Sequence, residues 1–254
     1  SLRRRQRQMC IRDRIKEGKF EAKDAKIGYV GAYPYAEVKS GYTAFFLGVR
    51  SVCKEATMEV QFTGSWYDEA KEKEAATLLI GRGCKLISQH ADSMGAPTAC
   101  ESAGVPNVSY NGSTLDACPN TFIVSSRINW VPYMKYMIEC VRDNKAIDTD
   151  WCKGINEGAV ELTPINEKVA APGTAEAIKA AEEQFKAGTL HVFDTSTFTV
   201  DGKTLTSYMA DVDTDEKFTP DTEVISNGYF HESEKRSAPY FDVNIDGITL
   251  LNEG

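Results

Sequence analysis

Residues 26–92, KIGYVGAYPYAEVKSGYTAFFLGVRSVCKEATMEVQFTGSWYDEAKEKEAATLLIGRGCKLISQHAD, decide the fold. Residues 27–30 form a short β-rich run closed by Gly31. Val38, Tyr42, Phe45, Phe46, Val49 and Val52 then recur at the spacing of one helix face. Met58, Val60 and Phe62 alternate with polar residues as a second strand does. A charged helix is predicted from Asp68 to the glycines at 81 and 83, where glycine can take the positive φ of a helix stop. Leu86 and Ile87 open a third strand. Strand, helix, strand, helix, strand predicts crossover connections and a parallel sheet.

In such sheets ligands bind beyond the carboxyl ends of the strands, so the turns there are the places to search. After the first strand comes Gly31-Ala32-Tyr33-Pro34-Tyr35, after the second Gly64-Ser65-Trp66-Tyr67-Asp68, after the third His90-Ala91-Asp92-Ser93. Aromatic and polar side chains are thus expected along one rim. Trp66 leads the candidates for ligand contact, because an indole can stack on a planar heterocycle with little side-chain entropy lost; a packing role competes with that one. Tyr33 and Tyr35 carry the same ambiguity, and Pro34 stiffens their loop. Asp68 suits either a ligand donor or the cap of the next helix.

Working outward, a short helix is expected at 93–103, a fourth strand at 105–110 ending in Asn111-Gly112-Ser113, and a fifth at 121–125. Pro132 suits a first helical turn, after which Tyr133, Tyr136, Met137, Cys140 and Val141 line a face. A further strand is expected at 159–162, a helix capped by Thr174 and ended by Gly188, and a strand at 190–193. Two Asp-Gly pairs, 201–202 and 246–247, predict tight β-hairpins within 198–205 and 243–250.

The segments KIGYVGAYPYAEV, FTGSWYDEAKEKEAA, ISQHADSMGAP, VSYNGS and RINWVPY together resemble the basic membrane protein (PnrA-like) family, the substrate-binding lipoproteins of ABC importers. The resemblance runs from about residue 26 to at least 193. It implies an α/β type I periplasmic-binding-protein fold, parallel sheets flanked by helices in two hinged lobes. The ligand, often a purine nucleoside or base, would lie in the cleft and pass to permease subunits. It further implies an extracytoplasmic protein, held at the membrane only by a lipid anchor this sequence lacks. On that reading the first lobe is largely missing. Residues 15–25 would be its remnant, 26–126 the second ligand-binding lobe, 127–158 a segment returning to the first lobe, and 159–254 the rest of the second lobe with a β-hairpin tail. The stretch SLRRRQRQMCIRDR at 1–14 resembles translated sequencing adapter rather than native sequence. The ligand-binding set expected from motif and position is Tyr33, Tyr35, Trp66, Asp68, His90, Asp92, Asn111 and Trp130. Asn111 stands where the family usually has an acidic residue; an amide both donates and accepts, which alters the solute that fits.

Composition agrees with a folded, non-spanning chain: 42% hydrophobic and 26% charged residues are ordinary, and no run of about 18 apolar residues occurs. Removing the local +5 of residues 1–14 from the total of −8 leaves −13, which argues against nucleic acid or an anionic membrane as partner. No catalytic residue, metal or cofactor is expected. His90 and Asp92 are too few ligands for a metal, with no HExxH or CxxC spacing. Gly28 and Gly31 fall short of GxGxxG, and no Walker pattern marks an ATPase. Cys84 and Cys100 lack an orienting partner for a thiol nucleophile. Six cysteines other than Cys10 permit disulfides without fixing their pairing. A ligand-sensing domain for a signalling partner and, behind it, an α/β enzyme are the competing functions.

Overall fold

The structure is a computed structural model that describes Ile15, Gly18 and residues 20–213 and 215–253; the adapter-like stretch 1–14 lies outside the described residues. Its centre is a seven-stranded, mostly parallel sheet. The strands are β1 Lys26–Gly31, β2 Thr57–Phe62, β3 Leu86–His90, β4 Asn107–Tyr110, β5 Phe122–Ile128, β6 Val160–Leu162 and β7 Ile248–Leu250. Their order across the sheet is β7-β2-β1-β3-β4-β5-β6, with only β6 antiparallel to its neighbour. The helices are α1 Ala36–Arg50, α2 Glu69–Gly81, α3 Gly95–Ala103, α4 Val131–Arg142 and α5 Thr174–Lys186.

The central strands alternate between two apolar layers. Ile27 and Tyr29 of β1 face α1, where Val38, Tyr42, Phe45, Phe46 and Val49 are buried, as the helical spacing predicts. Val30 and Ile87 face α2 and α3, meeting Ala75, Ala76, Leu79, Ala96 and Cys100. Gly28 belongs to this second face: a Cβ there would stand 2.6 Å from Ile87 Cδ1 and 3.0 Å from Leu79 Cβ, so glycine admits α2 close to the sheet. Because the chain leaves β1 for β2 on one side and then passes β1 to reach β3, the order reverses at the β1/β3 boundary. That reversal opens the crevice where ligands bind in such sheets.

The tail covers the α1 face with one of the two expected hairpin turns, that at 201–202. Phe193, Phe230 and Phe241 pack together there, with Phe193 and Phe241 rings stacked at 4.2 Å. Residues 190–193 form no strand; Phe230 N donates to Phe193 O at 2.9 Å beside an isolated antiparallel bridge between Asp194 and Tyr229. Asp201-Gly202 is a tight turn, with φ of 50° and 74° and Val200 paired to Lys203, as a type I′ turn requires. Asp246-Gly247 is not a hairpin turn. Gly202 N donates to the Asp246 carboxylate at 2.9 Å, and Arg50 Nη1 to Asp246 O at 3.2 Å. The chain then enters β7, which adds to the β2 edge in parallel. Thr174 is likewise not a cap: Gly173 at φ 82° precedes α5, and Thr174 Oγ1 donates back to Ala171 O. Gly188, at φ 66°, does end it.

On α4 only Cys140 is buried. Val141 does not share the face of Tyr133 and Tyr136, since one residue past Cys140 turns it by about 100° toward solvent, and it is 74% exposed.

Candidate functional site

Strands β1–β5 run parallel and deliver their carboxyl ends to one rim, and backbone hydrogen bonds stitch its turns together. Ala32 N donates to His90 O at 3.1 Å, Thr63 N to Gly31 O at 2.9 Å, Gly64 N to Ala32 O at 2.9 Å, and Asp92 N to Trp66 O at 2.8 Å. The three loops after β1, β2 and β3 therefore form one fixed unit, which pre-positions the side chains they carry.

Those side chains form a continuous aromatic array. Tyr33 and Tyr35 stack with ring centroids 5.1 Å apart; Trp66 lies 5.4 Å from Tyr33, edge to face, and 6.5 Å from Tyr35. Trp66 is 6.0 Å from the His90 ring, which lies 4.3 Å from Tyr110 at the end of β4. Exposure grades outward. His90 is 4% exposed, Tyr33, Trp66 and Tyr110 are half-buried, and Tyr35 is 56% exposed. Aromatic faces that are partly wet and held by neighbours suit stacking against a flat or ring-shaped solute.

The carboxylates near the rim divide by role. Asp68 caps α2, accepting from Lys71 N at 3.0 Å; of its two expected roles, the cap is the one seen. Glu72 is fully buried beneath the rim and accepts from Asp68 N and Ser93 N at 3.2 and 3.3 Å, tying the second turn to the third. Burial pushes the Glu72 carboxyl up, and the donated hydrogen bonds oppose that rise. Glu37, in the first turn of α1, stands 3.6 Å from His90 Nε2. The neighbouring His90 imidazole holds the Glu37 carboxyl below its ordinary value, against the opposing effect of burial.

Of the eight residues expected at the site, Tyr33, Tyr35, Trp66 and His90 meet in the array, with Asp68 and Asp92 on its loops. Asn111 is exposed in a left-handed conformation at φ 59°, its N–H bonded to Ser126 O at 2.8 Å. Trp130, 58% exposed, stands apart with a second aromatic set: Tyr133 at 6.3 Å, itself 5.2 Å from Trp151. Two members were not anticipated from sequence, Tyr110 and Glu37. Tyr110 was signalled by being the last residue of its strand, whereas Glu37 reads as ordinary helix-terminal charge.

The six cysteines among the described residues are free thiols. Burial pushes Cys84 and Cys100 up to about 12, away from the thiolate a nucleophile needs.

Residues 20–191 match the family described as ABC transporter substrate-binding protein PnrA-like. A purine-binding protein of Brucella abortus is 30% identical over 177 residues, covering 66% of this chain and 51% of that protein. A Haloferax volcanii protein whose name provisionally assigns it glucose binding for an ABC transporter is 32% identical over 173 residues, covering 68% and 44%. The chain thus spans about half the length of these relatives. Among solved structures, an ABC transporter solute-binding protein from Conexibacter woesei superposes with a TM-score of 0.56 at 22% identity, covering 74% of this chain and 63% of that one; this likeness concerns the fold alone.

Proposed function

Because the chain belongs to the PnrA-like family of ABC transporter substrate-binding proteins, which are solute carriers rather than enzymes, we propose that it receives a small polar ring compound on the aromatic rim outside the cytoplasm and presents it to permease subunits. The solute class favoured is a purine nucleoside or base. One observation carries this reading: Tyr33, Tyr35 and Trp66 gather within 6.5 Å of one another beside the β1/β3 boundary. The name of the Brucella relative supports the purine. A sugar is the second reading, supported by the name of the Haloferax relative and by the capacity of aromatic faces to stack on sugar rings.

Residues 127–158 are proposed as the segment that crosses to a partner lobe, with 26–126 and 159–254 forming one ligand-binding lobe. The exposure of Val131 at 69%, Ile138 at 67% and Val141 at 74% on α4 supports that division, since contiguous apolar surface of this kind ordinarily meets another surface. Tyr33, Tyr35, Trp66, Asp92, Asn111 and Trp130 are the proposed ligand contacts, with His90 supporting Trp66 and Tyr110 from beneath. No helix among the described residues is long and apolar enough to cross a membrane.

Thermal-shift screening of the full-length protein against nucleosides, bases, sugars and riboflavin tests the proposal, because a ligand of the native state raises the midpoint by mass action. A rise with purines is expected. A rise with sugars alone discards the purine and keeps the carrier; no rise with any of them contradicts the rim as a binding surface.

A further inference from the structure

A charged side chain at the rim remains without a role in stacking. Glu37 projects from the first turn of α1, two residues after Tyr35, and its side chain is 52% exposed while that of His90 beneath it is 6% exposed. One carboxylate oxygen stands 3.6 Å from Nε2 of a buried ring that itself lies against Trp66 and Tyr110. The remaining acceptor capacity of a carboxylate, roughly four lone-pair sites in all, is open to solvent. Of the other charges nearby, Asp68 and Glu72 are committed to backbone N–H groups and Lys39 to Asp242 at 2.7 Å, while Asp92 is exposed on the third turn.

We infer that Glu37 is a specificity-determining residue of the rim: standing beside His90 and half-exposed at the aromatic array, its carboxylate accepts hydrogen bonds from N–H or O–H donors of a solute stacked on Trp66 and Tyr35. The inference rests on the solute-binding reading of the rim and adds to it the chemistry selected. Flat solutes bearing outward donors, either ring amines or sugar hydroxyls, are taken in preference to flat solutes without them. The competing role is purely structural, a negative charge favouring the N-terminus of α1. Such a role lowers stability but cannot discriminate between ligands.

The test is calorimetric titration of the full-length protein and its Glu37→Gln and Glu37→Asp variants with adenosine, adenine, glucose and caffeine, the last a planar purine with no N–H or O–H donor. Adenosine, adenine and glucose separate sugar hydroxyls from ring amines as the donor source. Glu37→Gln is expected to weaken the donor-bearing probes that bind by roughly 10-fold or more, the scale of a hydrogen bond to a charged group, and to leave caffeine unchanged; Glu37→Asp recovers part of the loss. Equal weakening of caffeine and the donor-bearing probes, or no weakening, overturns the inference. If glucose binds and the purines do not, the purine reading falls while Glu37 is still tested on the sugar. No binding of any probe to the unsubstituted full-length protein overturns the site itself.

Discussion

At the scale of single residues, most side chains at the rim do two things at once, and geometry separates the roles. Asp68 is at the end of a strand, beside the aromatic array, and in sequence reads equally as contact or cap. Its bond to Lys71 N makes it a cap, reinforced by Glu72 reaching back to Asp68 N. Asp68→Ala should therefore cost about 1 kcal/mol of unfolding free energy, and Asp68→Asn much less; urea denaturation of the two variants checks this. Trp66 and Tyr33 were legible because aromatic residues in strand-end turns are conspicuous. Glu37 was not, because any acidic residue in a first helical turn has a sufficient local explanation, and only the tertiary approach of His90 gives it another.

At the scale of elements, the α/β alternation from β1 to α4 was readable because each segment carries a periodicity set by which face it buries. β1 to β3 are buried on both faces, and their helices show regular apolar spacing. The tail was less readable, since its pairings are long-range. An Asp-Gly pair reports only that positive φ is tolerated. At 246–247 that freedom serves a tight approach to α1, with a Gly247 Cβ placed 2.9 Å from Phe46 Cζ and Arg50 Nη2, rather than a hairpin. A similar constraint joins α2 and α3. A Cβ on Gly95 would lie 2.2 Å from Glu69 O and 2.8 Å from Lys73 N, both backbone atoms that cannot yield without moving a helix. Gly95→Ala should destabilise by about 1–3 kcal/mol or more and, by shifting the Ser93 N–Glu72 contact, loosen the rim; thermal unfolding and hydrogen exchange of the 90–95 turn report the two effects.

At the scale of the whole molecule, the sheet, its flanking helices and the aromatic tail make one packed body, while α4 extends an apolar face away from it. The packing within the tail is expected to depend on pH. Glu232 sits against Tyr240 and accepts its N–H at 3.1 Å, and burial pushes its carboxyl from 4.5 up to about 7. A raised carboxyl value means that the folded state holds the proton more tightly than the unfolded chain. Stability from this group therefore rises as pH falls from about 7 to 4.5 and is level below that, a gain on the order of 3 kcal/mol. Glu232→Gln should remove this slope. Urea unfolding at several pH values, as the difference between the two proteins, isolates it from other carboxylates; an unchanged slope would contradict the burial of Glu232.

The solute seat on Trp66 is tested most directly by fluorescence. The chain has three tryptophans, and replacing Trp130 and Trp151 by phenylalanine leaves Trp66 as the sole indole reporter. Titration of that protein with adenosine should give a saturable change in Trp66 emission, with a midpoint equal to the one calorimetry gives for the same Trp130→Phe, Trp151→Phe variant. Calorimetric binding of adenosine with Trp66 emission unaltered would place the solute elsewhere and contradict the aromatic rim as its seat.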